Sequence, residues 1–245
     1  MTICRLLIDP PATGAWNMAV DGALLEHAAG GWTLRFYAWS TPTLSLGYFQ
    51  THHDRHAHTA SRGLPMVRRA SGGGAIVHDQ ELTYSLSGPA NSASSSAAQW
   101  RFLRVHAAWV EVLAALGVEA QLCQAARSAQ GAVEPFLCFQ RCADGDVLVG
   151  RSKIAGSAQR RRRGAVLQHG SVLLGTSIAA PELPGLVDLV GVGPSAQEWI
   201  ELSLGPLSRT LKVEFERGQM TLPELARAAN LVVDQYGLPS WNERR

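Results

Sequence analysis

The chain has 245 residues, 46% of them apolar and 17% charged, with a formal net charge of +2, so it can bury a substantial core and suits one domain with at most a small appendage. That charge is too small to argue for nucleic acid, and no uncharged apolar run reaches membrane-spanning length, so neither nucleic acid nor a membrane is expected as a partner. The opening MTICRLLIDP lacks the apolar segment of a signal peptide, and the four cysteines, Cys4, Cys123, Cys138 and Cys142, are few and unevenly spaced for a disulfide framework; a cytoplasmic protein with reduced thiols is expected.

Residues 3 to 8 read as a first strand, closed by Pro10-Pro11. Trp16 to Ala29 has helical composition and stops at Gly30-Gly31, the usual C-terminal punctuation. Leu34 to Trp39 alternates, with Leu34, Phe36 and Ala38 opposite Arg35, Tyr37 and Trp39, which predicts a half-buried strand. Pro42 turns the chain into a second core strand from Thr43. His52, His53, His56 and His58 crowd the next segment, but only Asp54 joins them, and no metal site is expected there.

Arg68 to Leu86, RRASGGGAIVHDQELTYSL, carries three successive glycines. Gly72 to Gly74 have no Cβ atoms, so a ligand can lie against the backbone and meet bare N–H groups. Ala75-Ile76-Val77 reads as a short strand and, after a turn at Asp79-Gln80, Leu82 to Leu86 as a second; the expectation is a glycine loop feeding a strand pair. The spacing fits neither common nucleotide loop, because no Gly-Lys-Ser/Thr follows and no G-x-G-x-x-G opens a helix.

Asn91 to Ser96 reads as a polar linker. Ala97 to Leu116 places Trp100, Leu103, Ala107, Val110 and Leu113 at helical spacing and ends at Gly117, predicting a core-facing amphipathic helix. Val118 to Leu122 reads as a strand and Ala125 to Gly131 as a loop. Turns at Asp144-Gly145 and Gly150-Arg151 then separate Asp146 to Val149, Lys153 to Ala155 and Ala165 to Leu174 into a meander. Arg160 to Arg163 is the one concentrated basic run. It is either a solvated hairpin tip or a docking patch for an acidic protein, acting on encounter rate; no aromatic residues interleave it as nucleic acid would favour. Near the C-terminus, Ser195 to Glu198 and Thr221 to Glu224 match capping boxes, and Leu225, Ala228, Val232 and Tyr236 form a stripe expected to be buried.

RRASGGGAIVHD followed by ELTYS resembles the signature of the lipoate-protein ligase and octanoyltransferase superfamily, which includes the biotin protein ligases. The resemblance runs from about Trp16 to Leu174. Within it NMAVDG is similar to the family's NMAxDE pattern, with Gly22 where glutamate is usual; LRFYAWSTPTLSLGYFQ looks like the octanoyltransferase branch; GRSKIAGSAQ and LQHGSVLL resemble acyl-binding motifs. The resemblance implies an α/β fold: a mixed, largely antiparallel sheet flanked by helices, in a single catalytic domain whose part beyond about residue 181 is mainly helical. It implies that Lys153 contacts the acyl carbonyl or adenylate. Ser157, Gln159 and His169 would line the pocket, with Arg69, Gly72, Gly73, Gly74 and His78 shaping it. In cysteine-dependent octanoyltransferases the nucleophile lies in the loop leading to the G-x-K motif; Cys138 holds that place, and Cys142 lies close enough to be a second candidate.

An acyl thioester on an acyl carrier protein could pass to Cys138 at little net cost, since one thioester replaces another, and attack by a lysine then gives an amide downhill. The implied acceptor is a lipoyl domain or a glycine cleavage H-type protein, and no cofactor is needed. The thiolate is the reactive form, and the cationic Lys153 is the neighbour expected to stabilise it, with backbone N–H groups of the glycine loop as candidate oxyanion donors. The alternative is an ATP-dependent lipoate-protein ligase requiring ATP and magnesium, which Gly74 favours because the transferase branch often has arginine there. A non-catalytic acyl-binding paralogue, to which Gly22 points, is a further alternative.

Overall fold

The computed structural model describes residues 1–90, 95–124, 134–191 and 193–244, and side chains of the helix beginning at Ser95 from residue 102 onward. The expected loop at 125–131, most of the expected linker at 91–96 and the Trp100 side chain lie outside the described residues.

In chain order the elements are β1 (Thr2–Ile8), α1 (Gly14–Glu26), β2 (Trp32–Tyr37), β3 (Thr43–Leu46), β4 (Met66–Arg68), β5 (Ile76–His78), β6 (Glu81–Pro89), α2 (Ser95–Ala115), β7 (Ala120–Leu122), β8 (Val147–Val149), β9 (Ser152–Arg162), β10 (Ala165–Leu173), α3 (Leu186–Val190), α4 (Ala196–Leu211), β11 (Val213–Arg217), α5 (Leu222–Leu231) and α6 (Pro239–Asn242). Eight strands form one sheet in the order β11-β1-β2-β6-β10-β9-β8-β7, and β4-β3-β5 form a small second one. Pairing in the large sheet is parallel only among β11, β1 and β2 and antiparallel from β2 to β7. This is the expected mixed, largely antiparallel sheet flanked by helices.

Alternation along each strand sorts side chains to two covered faces. On one, Leu34, Phe36, Leu82, Tyr84, Leu86 and Val172 pack beneath α2 and α4, where Trp109 lies 5.2 Å from Tyr84 and 6.1 Å from Trp199 between ring centroids. On the other, α1 covers the sheet and is backed by α5, burying Leu7, Met18, Val20, Ala228 and Leu231. Ser195 and Thr221 cap α4 and α5 with the expected boxes. Among the described residues no helix is long and apolar enough to cross a membrane.

Several expectations are corrected. The β2 strand is buried on both faces rather than half-buried, because α1 covers the side on which Arg35 and Tyr37 point. The glycine segment does not feed a strand pair: β5 pairs with β3 in the small sheet and β6 with β2 and β10 in the large one, so the Asp79-Gln80 turn carries the chain between sheets. The buried stripe of α2 is Val105, Ala108, Trp109, Val112 and Leu113, rotated from the predicted one because the helix is wedged between sheet and α4. Leu225 is exposed, and the inward face of α5 is Glu224, Ala228 and Leu231, since Glu224 pairs at 2.5 Å with Arg5 of β1. Nor are all four thiols reduced. Cys123 and Cys142 form a disulfide, brought together by hydrogen bonds from Cys123 N to Asp146 O (2.7 Å) and Gly145 N to Cys123 O (2.8 Å) that close the β7–β8 pair. Cys4 and Cys138 are free.

Candidate active site

The glycine segment and the loop of Cys138 are laced together by main chain. Ala75 N donates to Phe136 O (3.0 Å) and Cys138 N to Ala75 O (2.7 Å), so the residue after the third glycine fixes the cysteine. Close approach accounts for the glycines. A Cβ on Gly74 would come within 3.0 Å of both Cys138 N and Phe136 O; Gly73, at φ +93°, would place one 3.9 Å from Cys138 Sγ; and Gly47 lies so near that its Cβ would sit 2.0 Å from Gly73 O. The third glycine therefore packs against the backbone of Phe136 and Cys138.

Arg69 buttresses this loop from behind. Fully buried, it donates from Nη1 to Ser45 O and Oγ (both 3.0 Å) and from Nη2 to Gly72 O (2.9 Å) and Gly74 O (2.5 Å); burial lowers its pKa to about 10. Arg68, its neighbour, is clamped by the C-terminus: its N–H donates to Asn242 Oδ1 (2.8 Å) and its Nη2 to Arg244 O (2.9 Å).

Beside the loop opens a cavity of about 520 Å³. Cys138, half-buried, begins a short 3-10 turn on its wall. Lys153 reaches from β9 to hold its Nζ 3.8 Å from Cys138 Sγ and 3.4 Å from Cys138 O, while Asp146 Oδ2 accepts an ion pair from the same Nζ at 2.7 Å. Asp146 and Lys153 are both buried, so each neutralises the other's desolvation. Gly156 makes room: a Cβ there would meet Lys153 Cε at 2.5 Å.

The sheet side of the cavity is built from two ladder rungs. Tyr37, Thr83, Ser171 and Gly156 are successive cross-strand partners on β2, β6, β10 and β9, and Arg35, Ser85, His169 and Ala158 form the next rung on the same face. At the usual strand spacing the row from Gly156 to Tyr37 spans roughly 14 Å. In the second rung Arg35, Ser85 and His169 converge with Tyr37 on one carboxylate, whereas the buried Ser171 hydroxyl of the first has no partner. Asp21 of α1 takes two donors on each oxygen: Arg35 Nη1 (3.0 Å) and Ser85 Oγ (2.8 Å) on Oδ1, Tyr37 Oη (2.9 Å) and His169 Nδ1 (3.1 Å) on Oδ2. Burial alone would raise the Asp21 pKa, but the His169 hydrogen bond and the Arg35 charge outweigh it and hold the carboxyl below its ordinary value. His78 is held similarly, between Glu81 (2.9 Å) and Ser45 (2.8 Å), stacked on Trp39; burial lowers its pKa, against the pull of Glu81.

The structure thus brings Cys138, Lys153, Arg69, Gly72, Gly73, Gly74, His78, Ser157 and His169 to one cavity. Gln159 is not among its lining residues: it donates 2.9 Å to Gln168 across the ladder. Cys142 also lines the cavity but is bonded to Cys123, which leaves Cys138 as its free thiol. Gly22 packs against α5, where a Cβ would come within 3.1 Å of Leu231 Cδ1. Asp146 and Tyr37 also line the cavity, and sequence reasoning misses both. Asp146 sits in a turn whose composition suffices to explain it, and its approach to Lys153 depends on a register break between Val147 and Leu148.

Residues 13–183 match the family model described as the lipoyl protein ligase A/B catalytic domain. Over 98% of its length, and 99% of the relative's, the chain is 32% identical to an octanoyltransferase LipM of Brevibacillus brevis; over the full length of both it is 33% identical to an octanoyltransferase LipM of Kyrpidia tusciae. In three dimensions it is similar to a putative lipoate protein ligase of T. acidophilum, solved with bound lipoic acid (TM-score 0.79, 25% identity), and to a lipoate-protein ligase A bound with ATP (TM-score 0.79, 25% identity), covering 98% of each pair of chains. The chain therefore belongs to the lipoyl protein ligase A/B catalytic domain family.

Proposed function

We propose that this protein is an octanoyltransferase that receives an octanoyl group on Cys138 as a thioester and passes it to a lysine of a lipoyl domain or glycine cleavage H-type protein in lipoate biosynthesis, with an acyl carrier protein as donor. The observation that carries the reading is the free Cys138 thiol in the cavity wall, 3.8 Å from the Lys153 ammonium. Relatives named octanoyltransferases that align along the whole chain support it.

In the first half-reaction the Cys138 thiolate attacks the donor thioester carbonyl. The new C–S bond forms as the carrier sulfur leaves, and the carrier thiolate takes up the proton that Cys138 gave up. Lys153, paired with Asp146, serves as a fixed cation that stabilises both thiolate and developing oxyanion. The eight-carbon chain lies along the Gly156–Ser171–Thr83–Tyr37 row. In the second half-reaction the acceptor amine displaces Cys138 and an amide replaces the thioester, so no ATP, magnesium or other cofactor is consumed.

Intact-mass measurement of the protein mixed with octanoyl-carrier should show a gain of one octanoyl group, absent in Cys138→Ser, and an apo lipoyl domain should then be modified without ATP. Modification only from free acid plus ATP would establish the lipoate-protein ligase reading instead. Binding without modification would leave the non-catalytic one.

A further inference from the structure

Attack on a thioester leaves a negative charge on the former carbonyl oxygen, and a site that favours this step aims donors at it. Lys153 supplies one. The main-chain donors nearest the thiol are committed elsewhere, Cys138 N–H to Ala75 O (2.7 Å) and Ala75 N–H to Phe136 O (3.0 Å). Four hydroxyl-bearing side chains line the cavity: Tyr37, Thr83, Ser157 and Ser171. Three are bonded, Tyr37 Oη to Asp21 (2.9 Å), Thr83 Oγ1 to Glu81, and Ser157 Oγ to His106 Nε2 (2.8 Å). Among the described residues, Ser171 alone of the four has no partner, although it is buried. The other unpartnered donor on the cavity wall, Arg69 Nε, belongs to a guanidinium whose Nη atoms already hold Ser45, Gly72 and Gly74 from behind the loop. A buried hydroxyl without an acceptor is costly. With no bond to break, that of Ser171 is free to turn about χ1 toward an oxygen delivered along the cavity.

Strand register sets this donor beside Lys153. Ser171 and Gly156 are cross-strand partners on β10 and β9, so their Cβ positions lie about 4.5–5.5 Å apart on one face. The Cβ position of Gly156 is 2.8 Å from Lys153 Nζ, and Nζ is 3.8 Å from Cys138 Sγ. The ammonium thus fills the room that Gly156 leaves, with Ser171 one strand over and the thiol within reach of the same Nζ.

We propose that Ser171 is a catalytic residue, the second oxyanion donor beside Lys153. This rests on the octanoyltransferase reading above. As the Cys138 thiolate bonds to the carbonyl carbon, the C=O π pair moves onto oxygen, which accepts hydrogen bonds from Lys153 Nζ and Ser171 Oγ without taking a proton from either. The pair returns as the C–S bond to the carrier breaks and the carrier sulfur leaves. Aminolysis passes through the same oxyanion: the acceptor amine bonds to the carbonyl carbon, the C–S bond to Cys138 breaks, and the departing thiolate takes up the proton that the nitrogen sheds.

Wild-type protein, Ser171→Ala and Ser171→Thr are mixed with octanoyl-carrier bearing an isotope-labelled carbonyl. Loading is timed by intact mass, and the fully loaded acyl-enzyme is examined by infrared difference spectroscopy. Ser171→Ala should load about a hundredfold more slowly with an unchanged KM for the carrier, and pass its acyl group to an apo lipoyl domain more slowly by a similar factor. Ser171→Thr keeps a hydroxyl and should recover most of the loss. The labelled carbonyl band of Ser171→Ala should lie at higher frequency than that of wild type, because one donor is gone. Its unfolding midpoint should not fall, since the deleted hydroxyl bonds nothing in the free protein. Wild-type rates in Ser171→Ala, an unshifted carbonyl band, or slower loading explained by lost stability would each overturn the assignment. A wild-type protein that gains no octanoyl mass overturns the parent reading, and this one with it.

Discussion

The two faces of the large sheet are buried to the same depth by opposite means. Under α2 and α4 the side chains are mainly apolar, with His106 the buried exception, and Trp109, Trp199 and Phe36 are wholly inaccessible; under α1, Arg35 is equally inaccessible, and Asp21, Tyr37 and Ser85 nearly so. On the first face area removed from water supplies the stability, at about 25 cal/mol per Å². On the second, desolvation of charges is offset only because every oxygen of Asp21 has its donors, and losing one leaves an uncompensated charge. A polar face this deep is costly in a way that apolar packing is not, and the cavity opens on it.

The largest expected effect follows directly. Asp21→Asn should lower unfolding free energy by about 3–5 kcal/mol in denaturant titration, because Arg35 then keeps only the partly exposed carboxylate of Asp9, at 2.7 Å, as a charged partner. Trp109→Ala should cost a comparable ~3–5 kcal/mol, yet acyl-enzyme formation per folded molecule should stay near wild type; a large loss there would show that the faces are not separable. Next comes Lys153→Met, expected to slow octanoyl loading of Cys138 per folded molecule by about a hundredfold or more and to lower stability as well, because it leaves the buried Asp146 carboxylate without its ion pair, with Asp146→Asn slowing loading in the same direction but more weakly.

The faces should also separate by pH. Burial lowers the pKa of His106, on α2, from 6.5 to about 4, so the unfolded chain binds its proton first. The stability it confers is present above pH 6.5 and lost as pH falls toward 4, up to about 3 kcal/mol. Asp21, whose carboxyl is held below its ordinary value, loses its contribution only below about pH 4. Stability curves of His106→Gln and Asp21→Asn should therefore flatten in different windows. The smallest effect is reserved for Cys142→Ala: octanoyl loading, read by mass, should persist at near wild-type rate, and its disappearance would move the nucleophile.

Much of the site was legible because its residues are close in sequence or lie in strongly punctuated motifs: three glycines, a lysine at the start of a strand, a cysteine in the preceding loop. What was not legible depends on what lies above a strand. Alternation in Leu34 to Trp39 shows that two faces differ, but not that Arg35 meets a carboxylate instead of water; only the position of α1 decides that. Similarly, Leu225 is exposed where the stripe predicts burial and Glu224 turns inward, because its partner Arg5 is 219 residues away in sequence, and strand β11 is a five-residue segment, VEFER, with only two apolar positions.

The family's shared segment ends at residue 183, yet β11 forms the outer neighbour of β1, Trp199 roofs Trp109, and Asn242 and Arg244 grip Arg68 beside the glycines. A truncated gene stopping at that boundary would yield a chain with a raw sheet margin prone to self-association, one apolar layer stripped of its lid, and the glycine loop unmoored at its root.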